Sequence, residues 1–217
     1  MRLLELFCGT KSVGKVFQEH GWEVVSVDIE SKFHPTIVAD VLTLPTTVGI
    51  DFDYIHMSPP CTQFSVAHTG NKRNIDSANN LVQHCLAIIR DSNPTFWTLE
   101  NPHSGLLKSQ DFMQGIDFTV GSYCKYGFPY RKNTCFWNNF DLNLSKCAYD
   151  CASIYKYTSP LGKTRFRHLT SAQKGPCHEQ DVCYKSTELY RIPENLVEEI
   201  HDAIMHNSVE PPPPPVA

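Results

Sequence analysis

The stretch SPPCTQFS, from Ser58 to Ser65, sets a cysteine directly behind two prolines and ahead of a polar run. Pro59 and Pro60 fix the local backbone and offer no N–H. The sulfur of Cys61 is therefore a positioned group, with Gln63 and Ser65 as nearby hydrogen-bonding side chains. A thiol held this way serves as a disulfide half, a metal ligand or a nucleophile. Further on, TLENP places Glu100 in a turn tethered by Pro102. A carboxylic acid beside a thiolate can hydrogen-bond or protonate one atom of a ring while sulfur adds at another. Taken singly, a cysteine after a strand is more often a small buried residue, and ENP a polar turn.

Upstream, LFCGTKSVGKVF leads from an apolar run into a helical one. Gly9 and Gly14 allow close backbone approach and put amide donors at a helix N-terminus. A dinucleotide fingerprint requires a further glycine at Lys11, which disfavours a nicotinamide oxidoreductase. Asp28 ends the next apolar run and suits ribose hydroxyls. Asp40 ends the one after and suits an adenine amino group. Glycine loop and paired acids together point to an adenosine-containing cofactor, against the plainer reading of both acids as strand-end caps.

These groups need a scaffold that brings them to one edge. Strand-like runs fall at 2–7, 23–28, 36–40, 52–57 and 95–100, with helical periodicity at 11–20 and 77–91. Such alternation predicts an α/β fold with a parallel sheet and helices on both faces. Ligands on these sheets lie beyond the carboxyl ends of the strands, where the glycine loop, Cys61 and Glu100 all fall.

The 217 residues suffice for one domain with a small lobe, and 41% hydrophobic with 19% charged residues reads as globular. No apolar run reaches membrane-spanning length. The run at MRLLELF is short for a secretory leader and Glu5 interrupts it, so an intracellular site of action, cytoplasmic or nuclear, is expected. Nine cysteines cannot all pair within one chain. The net charge is −4, yet residues 121–174 hold nine Lys and Arg against two acids. A basic segment in an acidic chain is the pattern of a phosphate-contacting face.

The periodicity ends near 139. Residues 141–187 read as a small irregular lobe, with Lys163, Arg165 and Arg167 as candidate nucleic-acid contacts. Its cysteines, Cys147, Cys151, Cys177 and Cys183, are spaced C-x3-C and C-x5-C. A structural zinc on these four, with His168 and His178 as alternative ligands, weighs evenly against free thiols. A helix is expected at 192–204, closing back on the sheet. The organisation is thus a catalytic domain at 1–140, the lobe at 141–187, a closing helix at 188–206 and a Pro-rich disordered tail at 207–217.

LFCGTKSVG, Asp28, Asp40, SPPCTQFS and LENP, in this order and spacing, resemble the cytosine-C5 DNA methyltransferase family. YGFPYRKNTCFW (126–137) is similar to its arginine-bearing segment in short viral and phage members, and YRIPENLVEEI (190–200) to its closing helix. The resemblance covers about 1–140 and 188–204. It implies a Rossmann-like sheet, S-adenosylmethionine as cofactor and DNA as partner. It also implies a setting in viral or restriction-modification biology. By position it implies Cys61 as nucleophile and Glu100 as the acid that engages a flipped-out base. Phe7, Gly9, Thr10, Gly14, Asp28, Ile29, Asp40, Val41 and Pro59 would contact the cofactor, and Gln63 and Ser65 the nucleic acid. Three positions depart from the family pattern. Lys11 stands where a glycine is common, and a Gly-Asn pair is missing before the closing helix. Tyr130 replaces the usual glutamine, so both Arg131 and Lys132 remain candidates for the base-contacting cation. A tRNA cytosine methyltransferase and a catalytically silent cofactor-binding partner are the competing readings.

Overall fold

The computed structural model describes residues 1–66, 72–172 and 184–209. Its centre is a seven-stranded sheet built from β1 (Arg2–Leu6), β2 (Glu23–Asp28), β3 (Ile37–Val38), β4 (Tyr54–Met57), β5 (Phe96–Pro102), β6 (Phe118–Ser122) and β7 (Asn133–Asn138). The order across the sheet is β3-β2-β1-β4-β5-β7-β6. The strands from β3 to β5 pair in parallel, while β7 runs antiparallel to both β5 and β6.

Parallel strands covered on both faces carry continuous apolar runs. In β1, Leu3, Leu4 and Leu6 are all fully buried, and every residue of β4 is buried. Leu3, Tyr54 and Phe96 belong to one core, shared with α1 (Ser12–Glu19) and α4 (Glu194–Val209) through Phe17, Leu196 and Ile200. Leu4, Ile55 and Leu99 belong to the other, shared with α2 (Ile75–Ser92) through Val82, Cys85 and Ile88. Helices therefore cover both faces, as the alternation in the sequence requires.

Polar residues interrupt these strands in register. Glu5 pairs with His56, and His56 with Thr98. With period two, all three share the α1–α4 face with Leu3, Tyr54 and Phe96. Glu100 lies two residues past Thr98 on that same face. A polar row thus underlies one corner of the sheet's carboxyl edge. It is knitted by Tyr54 OH to Thr98 Oγ1 at 2.6 Å, His56 Nδ1 to Thr98 Oγ1 at 2.7 Å and His56 Nε2 to Ser58 Oγ at 3.0 Å.

Beyond β7 the chain is less irregular than its composition suggests. β8 (Ile154–Thr158) and β9 (Thr164–His168) form a separate antiparallel hairpin. No residue of either strand is fully buried, which is why no burial-driven period marks it in the sequence. A short helix, α3 (Ser186–Leu189), precedes α4. The tail at 210–217 lies outside the described residues. No described helix is long and apolar enough to cross a membrane.

Candidate active site

A cavity of about 360 Å³ opens at the carboxyl edge, lined by five separate parts of the chain. Phe7, Gly9 and Thr10 come from the turn between β1 and α1, and Asp28 and Ile29 from the end of β2. Pro59 and Cys61 follow β4, Glu100 comes from β5, and Lys132 precedes β7.

The first turn is wound through left-handed backbone. Phe7 has φ 59°, Gly9 φ 45° and Lys11 φ 57°. Glycine takes this region freely, and other residues pay about 1 kcal/mol or more. Lys11 therefore occupies a position with a physical preference for glycine. Its ammonium reaches the carbonyl of His34, bridging the loops after β1 and β2. Asp28 organises the same turn: its carboxylate accepts the N–H of Gly9 at 2.9 Å and that of Glu30 at 2.8 Å. Gly14 does not line the cavity. A Cβ there would lie 2.5 Å from a carboxylate oxygen of Glu5, so this glycine lets helix α1 sit on β1.

Asp40 and Val41 also lie outside the cavity lining. The exposed Asp40 side chain accepts the N–H of Leu42 and caps a short 3₁₀ turn, and Val41 is buried in the α2-side core. Ile29, 64% exposed, presents an apolar side chain at the cavity mouth.

Cys61 stands apart from the other thiols. Among the described residues it is the one free cysteine that is not fully buried. Its pKa is raised, first by burial and then by the Glu100 carboxylate, while Lys132 pulls it back down. Glu100 is itself buried, and loss of water raises its pKa. Lys132, the Tyr123 hydroxyl and Ser58 oppose that rise. Tyr123 donates to Glu100 Oε1 at 3.4 Å. A thiolate and a carboxylate so placed repel each other, so a protonated Glu100 beside an ionised Cys61 relieves both. By contrast Cys8, also at the cavity, is pushed up to about 12 by burial and remains a thiol.

The two cations of PYRKNT diverge. Lys132 lines the cavity, donates to the Leu189 carbonyl at 3.1 Å and sits 4.8 Å above the Tyr123 ring. Arg131 instead lies 4.8 Å above the ring of Tyr149, toward the hairpin. Tyr130 is buried against Tyr184 and Phe128.

The expected nucleic-acid contacts fall in two places. Gln63 accepts the N–H of Asn74 at 2.9 Å, and the Ser65 carbonyl accepts from Arg73 at 2.7 Å, tying the Cys61 loop to the start of α2. Lys163, Arg165 and Arg167 are exposed on the hairpin. Opposite them, Tyr155 pairs with Arg167 and Tyr157 with Arg165. The guanidinium of Arg167 lies 4.5 Å above the Tyr157 ring. One hairpin face thus combines two arginines with two tyrosines. Of the expected metal ligands, Cys147 and Cys151 are neighbours, while Cys177, Cys183 and His178 lie outside the described residues.

Several cavity residues escape a motif-based reading. Glu5 is wholly buried, its pKa raised to about 7 by desolvation, with the N–H groups of Val13 and Gly14 opposing. His56 is lowered to about 3 by burial and stays neutral. Ser58, Tyr190 and Ile192 also line the cavity. The one available signal was a charged or polar residue inside an apolar strand, as in RLLELF and YIHM.

A nucleotide-scale cavity at the carboxyl edge, on a parallel sheet with one antiparallel strand inserted beside β5, defines a Rossmann-like methyltransferase. The model for the C-5 cytosine-specific DNA methylases matches residues 1–114, more than half of the chain, and the chain belongs to that family. It is 27% identical over 219 residues to a "Probable DNA (cytosine-5)-methyltransferase" of Frog virus 3 (isolate Goorha), covering 93% of this chain and 99% of that one. Among solved structures, a prophage-encoded putative DNA modification methyltransferase from E. coli shares 21% identity at a TM-score of 0.47, over 64% of this chain and 46% of that one. The S. pombe Dnmt2 methyltransferase shares 16% at 0.47, over 64% and 48%. The chain spans under half the length of either solved structure.

Proposed function

We propose that this chain methylates C5 of cytosine in DNA, with Cys61 as the covalent nucleophile and Glu100 as the acid. The observation that carries this reading is the meeting of the half-exposed thiol, the buried carboxyl and Lys132 in one cavity.

The cofactor side of that cavity fits S-adenosylmethionine. The Asp28 carboxylate holds the turn through two N–H groups and keeps lone pairs for ribose hydroxyls. Phe7, Gly9, Thr10 and Pro59 would contact the cofactor's length, and exposed Ile29 would cover its adenine. Asp40 and Val41 would reach the adenine from beside the cavity, and Gly14 acts by seating α1. Bound there, S-adenosylmethionine supplies a methyl group made electrophilic by its positively charged sulfur.

C5 of cytosine is a weak nucleophile. Addition of the Cys61 thiolate at C6 converts the ring to an enamine with electron density at C5, the atom that is alkylated. Glu100, held toward its protonated form by burial, hydrogen-bonds or protonates N3 and accepts the developing ring charge. Lys132 favours the thiolate. Loss of the C5 proton then expels Cys61 and restores the ring. A thiol cannot reach C6 inside a duplex, so the base must leave the stack. The Pro59–Pro60 backbone holds the sulfur at attack distance from the flipped ring. Lys163, Arg165 and Arg167, with Gln63 and Ser65 on the catalytic loop, would bind the nucleic acid.

The test is trapping. Incubation with S-adenosylmethionine and duplex DNA carrying 5-fluorocytosine is expected to give a stable protein–DNA adduct at Cys61, since fluorine blocks the final elimination. Cys61→Ala should give none while still binding cofactor. Full turnover by Cys61→Ala would refute the mechanism, and an adduct on tRNA but not on DNA would reassign the substrate.

A further inference from the structure

Away from the cavity, four ligand-type side chains converge at the root of the hairpin. Cys124 comes from the 3₁₀ turn after β6, Cys147 and Cys151 from the loop after β7, and His168 is the last residue of β9. One ligand atom of each lies within 4.8 Å of all the others. We propose that Cys124, Cys147, Cys151 and His168 bind one zinc ion, which pins the hairpin to the catalytic domain.

The geometry suits a tetrahedron. Zn–S bonds of about 2.3 Å and Zn–N bonds of about 2.0–2.1 Å set sulfur and nitrogen roughly 3.6 Å apart. Cys147 Sγ and His168 Nε2 are 3.5 Å apart. The three cysteines are free thiols. Three sulfurs and one imidazole match the donor preference of zinc, and four protein ligands close its coordination, as structural sites require. The surroundings are built for such a site. The Cys147 sulfur receives the backbone N–H groups of Tyr149 and Asp150. Ser122 Oγ accepts the Cys147 N–H at 2.9 Å, and Lys125 pairs with Asp150 at 3.0 Å. Outer contacts of this kind orient ligands and are part of a metal site.

The fold also leaves a task for the ion. Two-stranded hairpins are marginal alone, and β8–β9 buries none of its residues fully. Beneath it the only apolar cluster among the described residues is the three cysteines, with Ile154 packed on them. A metal replaces the missing core by linking three segments far apart in sequence. It would also set the position of Arg131, because Tyr149 contacts both Arg131 and His168, the latter at a ring distance of 5.5 Å. Cys177 and Cys183, within the same lobe, are not required.

Metal content tests this without reference to methyl transfer. The full chain, purified and dialysed against zinc-free buffer, is expected to hold about one zinc by elemental analysis. Cys124→Ser and His168→Ala should lose it to a competing chelator at least tenfold more readily. His168→Cys and a Cys177→Ser/Cys183→Ser variant should retain it, as should Cys61→Ala. Alkylation of the unmutated chain, mapped by peptide mass, should spare Cys124, Cys147 and Cys151 until chelator is added. This covers the case in which a ligand variant fails to fold. A chain that neither carries zinc nor takes up one equivalent would overturn the proposal. So would loss of metal in the Cys177/Cys183 variant with retention in Cys124→Ser, or alkylation of the three cysteines at equal rates with and without chelator.

Discussion

Asn101 donates its side-chain amide to the carbonyl oxygen of Pro59 at 2.9 Å, and Asn101 is fully buried. This bond ties the turn that carries Glu100 to the loop that carries Cys61. Proline carbonyls have no intrastrand partner here, so the asparagine fixes the spacing of acid and nucleophile. Asn101→Ala should lower the turnover number roughly 10- to 100-fold through misplacement, with about 1–2 kcal/mol lost from stability. Steady-state methyl transfer and urea unfolding measure the two effects. A variant that loses stability and keeps its turnover number would make the bond purely structural.

Glu100→Gln removes the transferable proton and the negative charge next to the thiol. Turnover should fall by about 10²–10⁴. Since Glu100 is a named cause of the raised Cys61 pKa, the thiol should ionise at lower pH in the variant. Alkylation rate of Cys61 against pH reads this directly, and an unmoved profile would show the two groups to be uncoupled.

Lys132 lowers the pKa of both Cys61 and Glu100, whereas Arg131 faces Tyr149. Lys132→Met should therefore displace the whole pH profile of kcat/KM to higher pH and reduce its maximum. Arg131→Met should leave the profile in place. If Arg131 moves the profile and Lys132 does not, the assignment of the base-contacting cation is reversed.

Glu5 has a folded pKa of about 7, raised from 4.5. The folded chain therefore holds this proton more tightly than the unfolded one. Stability from Glu5 is complete below about pH 4.5 and declines as pH rises through about 7. His56, lowered from 6.5 to about 3, acts with the opposite slope, so the comparison with a variant isolates Glu5. Glu5→Gln should be more stable than the parent by on the order of 1–3 kcal/mol near pH 8, with the gap shrinking toward pH 5. Urea midpoints across that range would show it, and a constant gap would rule out the titration.

Arg165→Ala and Arg167→Ala should weaken DNA binding with little dependence on sequence. Each lost phosphate contact should reduce the slope of log K against log salt by about 0.9. Fluorescence anisotropy at several salt concentrations measures this. Unchanged slopes would remove the hairpin from the interface.

Much of the catalytic domain was legible in the sequence. Expected helices at 11–20 and 77–91 correspond to α1 at Ser12–Glu19 and α2 at Ile75–Ser92, because amphipathic periods and caps act locally. The buried strands β1, β4 and β5 announced themselves as apolar runs. The strands β6 and β7 did not, since GSYCKYGFPYRKN between them reads as turn chemistry and gives no crossover helix to count. The hairpin β8–β9 was hidden for a different reason: with neither face buried, nothing enforces a period of two.

By itself the sequence determined that a stiffened thiol, a tethered carboxyl and a glycine turn would share one sheet edge, because strand-helix alternation fixes the direction of every parallel strand. Only the tertiary structure decided which neighbours those groups meet. Register across three strands aligns Glu5, His56 and Thr98 beneath the cavity, and side-chain direction separates Lys132 from Arg131. Chain return brings Cys124 and His168 to Cys147 and Cys151 across gaps that spacing cannot encode. Local pattern reports which face a residue takes; distances between segments are set by packing.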